Sequence, residues 1–363
     1  MRPDMILPAL VSLLVTLPGA ARLAPAQPAV PSTARAAVVF SGPALGSRYT
    51  VRVVMAPGDE AANERIRSAI DRELAVAVRL LSSWNAESEV SRLSAHASTE
   101  PFVVSPETLA ALELARRASE WSEGAFDATV APLVAAWGFG PAPPETRSPP
   151  ADATLAALRE RVGYRLLQLD PVRRTVTKAR PDVGCDLSGL AGGWAADRIA
   201  AALAQLGHRD VLVDVSGEVT ARGRRADGGR WRVAVAWPDA SQARERALVL
   251  ELQDAALATS GDYKQAWTDA QGRRHSHVLD PRTGRPIAHE LASVSVVHAD
   301  GAWADALATA LLVLGPDAGR ARATAERLAA RFVKREAAGY AEWATPAFEA
   351  LIASRAAAPA LTR

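Results

Sequence analysis

Apolar residues fall along the chain in two kinds of run, short and alternating or longer and helical. Val38-Val-Phe40 and Tyr49–Val54 alternate in part and predict strands. Residues 59–81 interleave charges with Ile66, Ile70, Leu74, Val76 and Leu80, a spacing that predicts a helix. Ser105-Pro-Glu-Thr108 offers an N-cap and a first-turn proline to a helix running to about Trp121. Asp152 opens another that ends near Gly163, and Leu166–Leu169 with Thr175–Lys178 read as a hairpin around Asp170-Pro171. Ala195–Leu206 is helical, with Gly207 as its stop. From 211 strand signals dominate, at Val211–Val215, Trp231–Ala236, Ala247–Leu252 and Ser293–Val297; helices over 302–313, 316–330 and 347–356 close the chain. Strands and helices mix without regular βαβ alternation, so the expected class is α+β, with mixed, largely antiparallel sheets and packed helices. The interleaving suits one catalytic unit over 39–345, with room for two lobes, and a C-terminal helical tail over 346–363.

The first residues follow a different pattern. Arg2 precedes an apolar run from Met5 to Leu17, and Ala24-Pro-Ala26 follows. The run is too short to span a bilayer but suits a signal peptide over 1–26, with a Pro/Ala/Ser-rich linker over 27–38. No cysteine near that point could take a lipid, so the expected location is the periplasm. The 363 residues are 49% hydrophobic and 23% charged, enough for a real core and unlike a disordered chain. A formal charge of +2, with basic residues dispersed, gives no nucleic-acid footprint. A single Cys185 excludes an internal disulfide or a multi-cysteine metal site.

Polar and glycine-rich islands interrupt this framework. Asp186-Leu-Ser-Gly-Leu-Ala-Gly-Gly193 enters a helix, where free N–H groups suit a phosphate and glycines equally suit close packing. It lacks the dinucleotide spacing, and Ser260 lacks a nucleophile elbow. Gly124-Ala-Phe-Asp127 reads most simply as a capped helix start. His275-Ser-His277 would carry both imidazoles on one side of a strand, with no third ligand nearby to make a metal site. Asp305 and Thr309 share one helix face, and a carboxylate with a hydroxyl is hard-oxygen chemistry that suits Mg²⁺. Trp84 offers an aromatic face for a ring or for the core.

In this order the islands resemble the ApbE family, the FAD:protein FMN transferases. The matching pieces are Leu45-Gly-Ser47, Leu81-Ser-Ser-Trp84 with Ser88-Glu89, and Gly124-Ala-Phe-Asp127 through Trp137-Gly-Phe-Gly140. They continue with Asp186–Gly193 and Ala196-Asp197, Ala258-Thr-Ser-Gly-Asp-Tyr263, His277–Gly284, and Ala304–Thr309. The resemblance implies an exported enzyme that uses Mg²⁺ to move FMN from FAD onto a Ser or Thr hydroxyl and releases AMP. The acceptor would be a flavin-carrying subunit of a membrane redox pump or a related respiratory protein. Matched residue by residue, the metal falls to Gly189, Asp305 and Thr309, and the acceptor's proton to His277, with Asp305 the second catalytic residue. Cofactor contacts fall to Leu45, Trp84, Ala125, Phe126, Asp127, Asp186, Gly192 and Leu279. Two departures stand out: Gly192 replaces the family's usual Lys or Glu, and Ser216-Gly217 replaces a Gly-Gly pair. An FAD diphosphatase and a non-catalytic flavin-binding protein stay open as alternatives.

Overall fold

The structure, a computed structural model, describes residues 35–354 except 142–144, 146, 240, 243–245 and 247. The expected signal peptide lies outside the described residues. β1 (Ala36–Ala44) and β2 (Ser47–Met55) form a hairpin, followed by α1 (Glu60–Leu81), α2 (Glu89–Ala95), β3 (Phe102–Val103), α3 (Pro106–Trp121), α4 (Ala131–Ala136) and α5 (Asp152–Arg159). A second hairpin, β4 (Leu167–Asp170) and β5 (Thr175–Lys178), leads into α6 (Ser188–Gln205). Next come β6 (Val211–Val215), β7 (Glu218–Arg222), β8 (Trp231–Val235), β9 (Leu248–Leu252) and β10 (Ala255–Gly261). Two small hairpins follow, β11 (Ala266–Thr268) with β12 (Arg274–Ser276) and β13 (Leu279–Asp280) with β14 (Arg285–Pro286). The chain then forms β15 (Leu291–His298), α7 (Gly301–Ala325), β16 (Ala329–Glu336), β17 (Gly339–Ala344), α8 (Pro346–Glu349) and β18 (Ile352–Ser354).

Eight strands build one antiparallel sheet in the order β1-β2-β6-β7-β10-β15-β16-β17. Strand alternation gives it two apolar faces. Val51, Val53, Val211, Val213 and Val215 pack against α1 and α6, while Val54, Leu212, Val219 and Ala221 pack against the small sheet β18-β9-β8 and Phe348. The α+β class stands, as helices on one face of an antiparallel sheet and a second sheet on the other.

Two helices, α6 and α7, cross on the inner face at glycines. A Cβ on Gly193 would overlap the Gly301 carbonyl, so only glycine lets the helices approach this closely. Asp197 of α6 secures the crossing by accepting the Gly301 N–H at 2.6 Å and the Thr220 hydroxyl at 2.8 Å. Asp300 caps α7 through the Trp303 N–H. Lys178, buried, donates to the carbonyls of Ser94, Pro181 and Val183 and so fixes the segment that leads to Asp186.

Some expectations need correction. The last residues assigned to the linker, Ala36, Ala37 and Val38, already belong to β1 and pair with Met55, Val54 and Val53 of β2. α6 begins at Ser188 rather than 195, because contacts with α7 outweigh the poor helix propensity of its three early glycines. The two helices expected over 302–313 and 316–330 are both present within α7, separated by the non-helical Gly315 (φ 85°) before Pro316; only the second differs, ending at Ala325 ahead of β16. Of the expected C-terminal helical tail, 355–363 lie outside the described residues; the described part begins with a single turn, α8, whose Phe348 enters the core before β18 joins β9. Replacing Gly193 with alanine is expected to cost about 3 kcal/mol or more, because backbone must move. Gly184→Ala, whose new methyl meets only ordinary contacts, should stay within about 0.5 kcal/mol of wild type. Urea denaturation of both variants checks this; equal stabilities would contradict the crossing argument.

Candidate active site

One end of the sheet opens into a cavity of about 390 Å³, within the usual range of ligand pockets. Two tight turns form part of its rim. Leu45-Gly46 joins β1 to β2 with φ of 45° and 75°, and Ser216-Gly217 joins β6 to β7 with φ of 59° and 101°. Both residues of such turns need positive φ, a left-handed state that strains Leu45 and Ser216. Ser216 meets the first hairpin beside its turn, its N–H donating to the Arg48 carbonyl of β2 and its hydroxyl to the Ala44 carbonyl of β1.

All twelve residues that the resemblance assigned line this single cavity: Leu45, Trp84, Ala125, Phe126, Asp127, Asp186, Gly189, Gly192, His277, Leu279, Asp305 and Thr309. Trp84 is 61% exposed, so core packing is not its role. Nearby Ser88 and Glu89 are structural: Ser88 caps α2, and Glu89 accepts the Ser105 N–H and hydroxyl at the start of α3. Asp127 does not cap α4, as its motif had suggested. It accepts from the Thr129 N–H and hydroxyl and the Tyr164 N–H, which occupies both carboxylate oxygens and fixes the segment carrying Phe126. Asp186 accepts the Ser188 N–H in front of α6. A side chain on Gly189 would press on the Phe126 ring at 2.9 Å and stand 3.4 Å from the Thr309 hydroxyl. Glycine there keeps Phe126, α6 and α7 in contact.

Asp305 is buried and accepts the Gly193 N–H at 3.1 Å, so the α6–α7 crossing delivers it to the cavity floor. Thr309, one turn on, shares a 2.8 Å hydrogen bond with the Ser260 hydroxyl. The Asp305 carboxylate and the Thr309 hydroxyl are hard-oxygen groups that line the cavity together with Gly189. Among the described residues no group of three or more His, Cys, Asp or Glu is gathered for a metal.

The two histidines part company. His275 bonds Asp269 at 2.9 Å and packs against Trp137 and Trp267. His277 enters the cavity with Nδ1 2.9 Å from the Gln265 carbonyl. A carbonyl can only accept, so Nδ1 carries the proton and Nε2 keeps a free lone pair. Burial holds this imidazole below the usual histidine range, neutral at ordinary pH. Cys185 is the opposite case, a thiol that burial pushes up to about 12 and so leaves inert.

Sequence reasoning missed Glu218 and Lys264, which face each other in the cavity wall, Nζ to Oε1 at 3.3 Å. Glu218 also explains Gly192: a Cβ there would stand 2.7 Å from its Oε2. The space beside Gly192 is therefore filled by the Glu218 carboxylate, whose cationic partner is Lys264. The available signal was the rarity of lysine, which occurs only at 178, 264 and 334.

The family model for the ApbE family matches residues 45–332. The FAD:protein FMN transferase of Vibrio cholerae is 37% identical over 313 residues, 86% of this chain and 92% of that protein. Its solved structure, the flavin transferase ApbE, superposes with a TM-score of 0.77 over 87% of this chain and 99% of that one. The apo Pseudomonas stutzeri flavinyl transferase ApbE, 34% identical, gives 0.78 over 88% and 98%. Fold and cavity thus define an α+β enzyme of the flavin transferase class. The chain belongs to the ApbE family.

Burial raises both the Asp305 and the Glu218 carboxyl above their ordinary ranges, and Asp305 raises Glu218 further. Unfolding returns both groups to about 4, so the unfolded state ionises first. Stability from this pair is full below that value and is lost as pH rises through the raised folded values. Metal-free protein in EDTA is therefore expected to melt lower at pH 8 than at pH 5, and Asp305→Asn should reduce that difference. An identical pH profile in the variant would refute the assignment.

Proposed function

We propose that this protein moves the FMN half of FAD onto a Ser or Thr hydroxyl of an acceptor protein and releases AMP, in a Mg²⁺-dependent reaction. The observation that carries the reading is a neutral imidazole with a free Nε2 in the same cavity as the Asp305–Thr309–Gly189 oxygen set. The donor set fits the ion: it is all oxygen, and two buried carboxylates favour a cation beside them. Mg²⁺ held by the Asp305 carboxylate, the Thr309 hydroxyl and the Gly189 carbonyl would neutralise diphosphate charge and orient the leaving group.

His277 Nε2 takes the proton from the acceptor hydroxyl, which is a weak nucleophile without a placed base. The hydroxyl oxygen bonds to the FMN phosphorus, and the bond from that phosphorus to the bridging oxygen breaks. AMP departs with the bridging oxygen. Trp84 at the mouth and Phe126 on the wall supply apolar surface for the flavin. The acceptor is read as a flavin-carrying subunit of a membrane redox pump or a related respiratory protein.

Incubation with FAD, Mg²⁺ and such an acceptor should add the mass of FMN less water to the acceptor, with AMP released one to one. Release of free FMN alone would make the protein a diphosphatase. His277→Ala should lower transfer by about 10²–10⁴-fold with FAD affinity unchanged. The wild-type rate should fall only below about pH 6.5, as the lowered imidazole protonates, and this limb should vanish in the variant. Asp305→Ala should remove the dependence on divalent metal.

We also read the protein as exported. The support is the charged start, the apolar run to Leu17 and the Ala24-x-Ala26 pattern. N-terminal sequencing of the exported protein should begin at or near Gln27; a start at Met1 would contradict this.

A further inference from the structure

The cavity just described has an uneven charge. Four carboxylates line it, Asp127, Asp186, Glu218 and Asp305, and Lys264 is its only Lys or Arg among the described residues. A diphosphate entering such a cavity meets like charge unless cations are in place. Two of the carboxylates are engaged by their own chain, Asp127 by Thr129 and Tyr164 and Asp186 by Ser188. Glu218, and Asp305 which also accepts the Gly193 N–H, are the two that act on Lys264.

Lys264 is half turned toward the opening. Its side chain is 42% exposed, whereas that of its partner Glu218 is 8% exposed. An ammonium bound on one side by a buried carboxylate keeps donors for a second ligand. The backbone that carries it is held firmly. Asp262 takes Arg274 and Arg335 on its carboxylate, and its N–H donates to the Ala292 carbonyl. One residue after Lys264, the Gln265 carbonyl orients His277. A single anchored turn therefore brings both the ammonium and the proton acceptor to the cavity. Across the cavity, Gly192 leaves room for the Glu218 carboxylate, so the missing side chain at 192 and the ammonium at 264 belong to one arrangement. Glu218 and Asp305 also keep that ammonium protonated.

We propose that Lys264 is a substrate-binding residue whose ammonium contacts the diphosphate of FAD while Glu218 holds it in place. This rests on the reading of the cavity as the FAD site. Flavin fluorescence titrations in EDTA with FAD and with riboflavin, which has no phosphate, separate the possibilities. Lys264→Gln should weaken FAD binding about ten- to a hundredfold and leave riboflavin binding unchanged, as expected for a lost hydrogen bond between charged groups. Lys264→Arg should retain FAD binding. Riboflavin affinity doubles as a check that the variant is folded. Unchanged FAD affinity in Lys264→Gln overturns the proposal. So does equal weakening of both flavins, which would make Lys264 a structural partner of Glu218. If wild-type protein binds neither flavin in EDTA or with Mg²⁺, the cavity is not a flavin site, and the underlying reading fails together with this proposal.

Discussion

The contact between α6 and α7 at Gly193 and Gly301 is the constraint from which the site follows. Without a Cβ at 193 the two helix starts come close enough for the Gly193 N–H to reach the Asp305 carboxylate. Asp197, one helical turn along, ties the same two helices to the Gly301 N–H and to Thr220 of β7. Sheet, α6 and α7 are thereby registered at one point, and the chemistry lies within about two turns of it. Asp305 and Thr309 project from α7, Gly189 and Gly192 from α6, and Glu218 from the start of β7. A glycine whose role is packing thus decides where a carboxylate stands.

That carboxylate is placed at an energetic cost. Burial disfavours ionised Asp305 and Glu218, and the nearby Asp305 raises Glu218 further. Lys264 offsets part of this, and the Gly193 N–H another part. A pair of buried acids with one ammonium is a poor way to stabilise a fold, since apolar residues of similar size would serve as well or better. It is a good way to keep a cavity that gains from cations and from a ligand that brings them. The strained turns at Leu45 and Ser216 fit the same account, because unfavourable backbone persists where surrounding structure imposes it.

How much was legible depended on which forces wrote each element. α1, α3 and the β4–β5 hairpin carry strong periodicity, caps or turn residues, and the sequence located them closely. α6 was read seven residues short, because its glycines oppose helix in isolation and only contact with α7 reverses that. β7 and β16 went unread, since strands with neighbours on both sides show little alternation, and so did the edge strand β17. Phe348 falls within the helix expected over 347–356, yet it enters the core from a single turn. In the site, motifs placed every assigned residue around one cavity but could not separate their tasks. Asp127 holds backbone, His275 holds a hairpin, and only His277 faces the cavity with a free nitrogen. Glu218 and Lys264 escaped notice because a salt bridge between residues so far apart in sequence leaves no local pattern.

This difference in tasks bears on how Gly192 is to be understood. Read along the sequence, it is a lost side chain and hence a weakened site. In the fold, its missing side chain is the condition for Glu218 to lie where it does, and Glu218 is the partner that holds Lys264. A charged group reaching the cavity from β10's turn rather than from α6 keeps a cation near the same carboxylates while approaching from another direction. What the site requires is charge at a point in space, and the helix that once seemed to owe it is not the only element able to provide it.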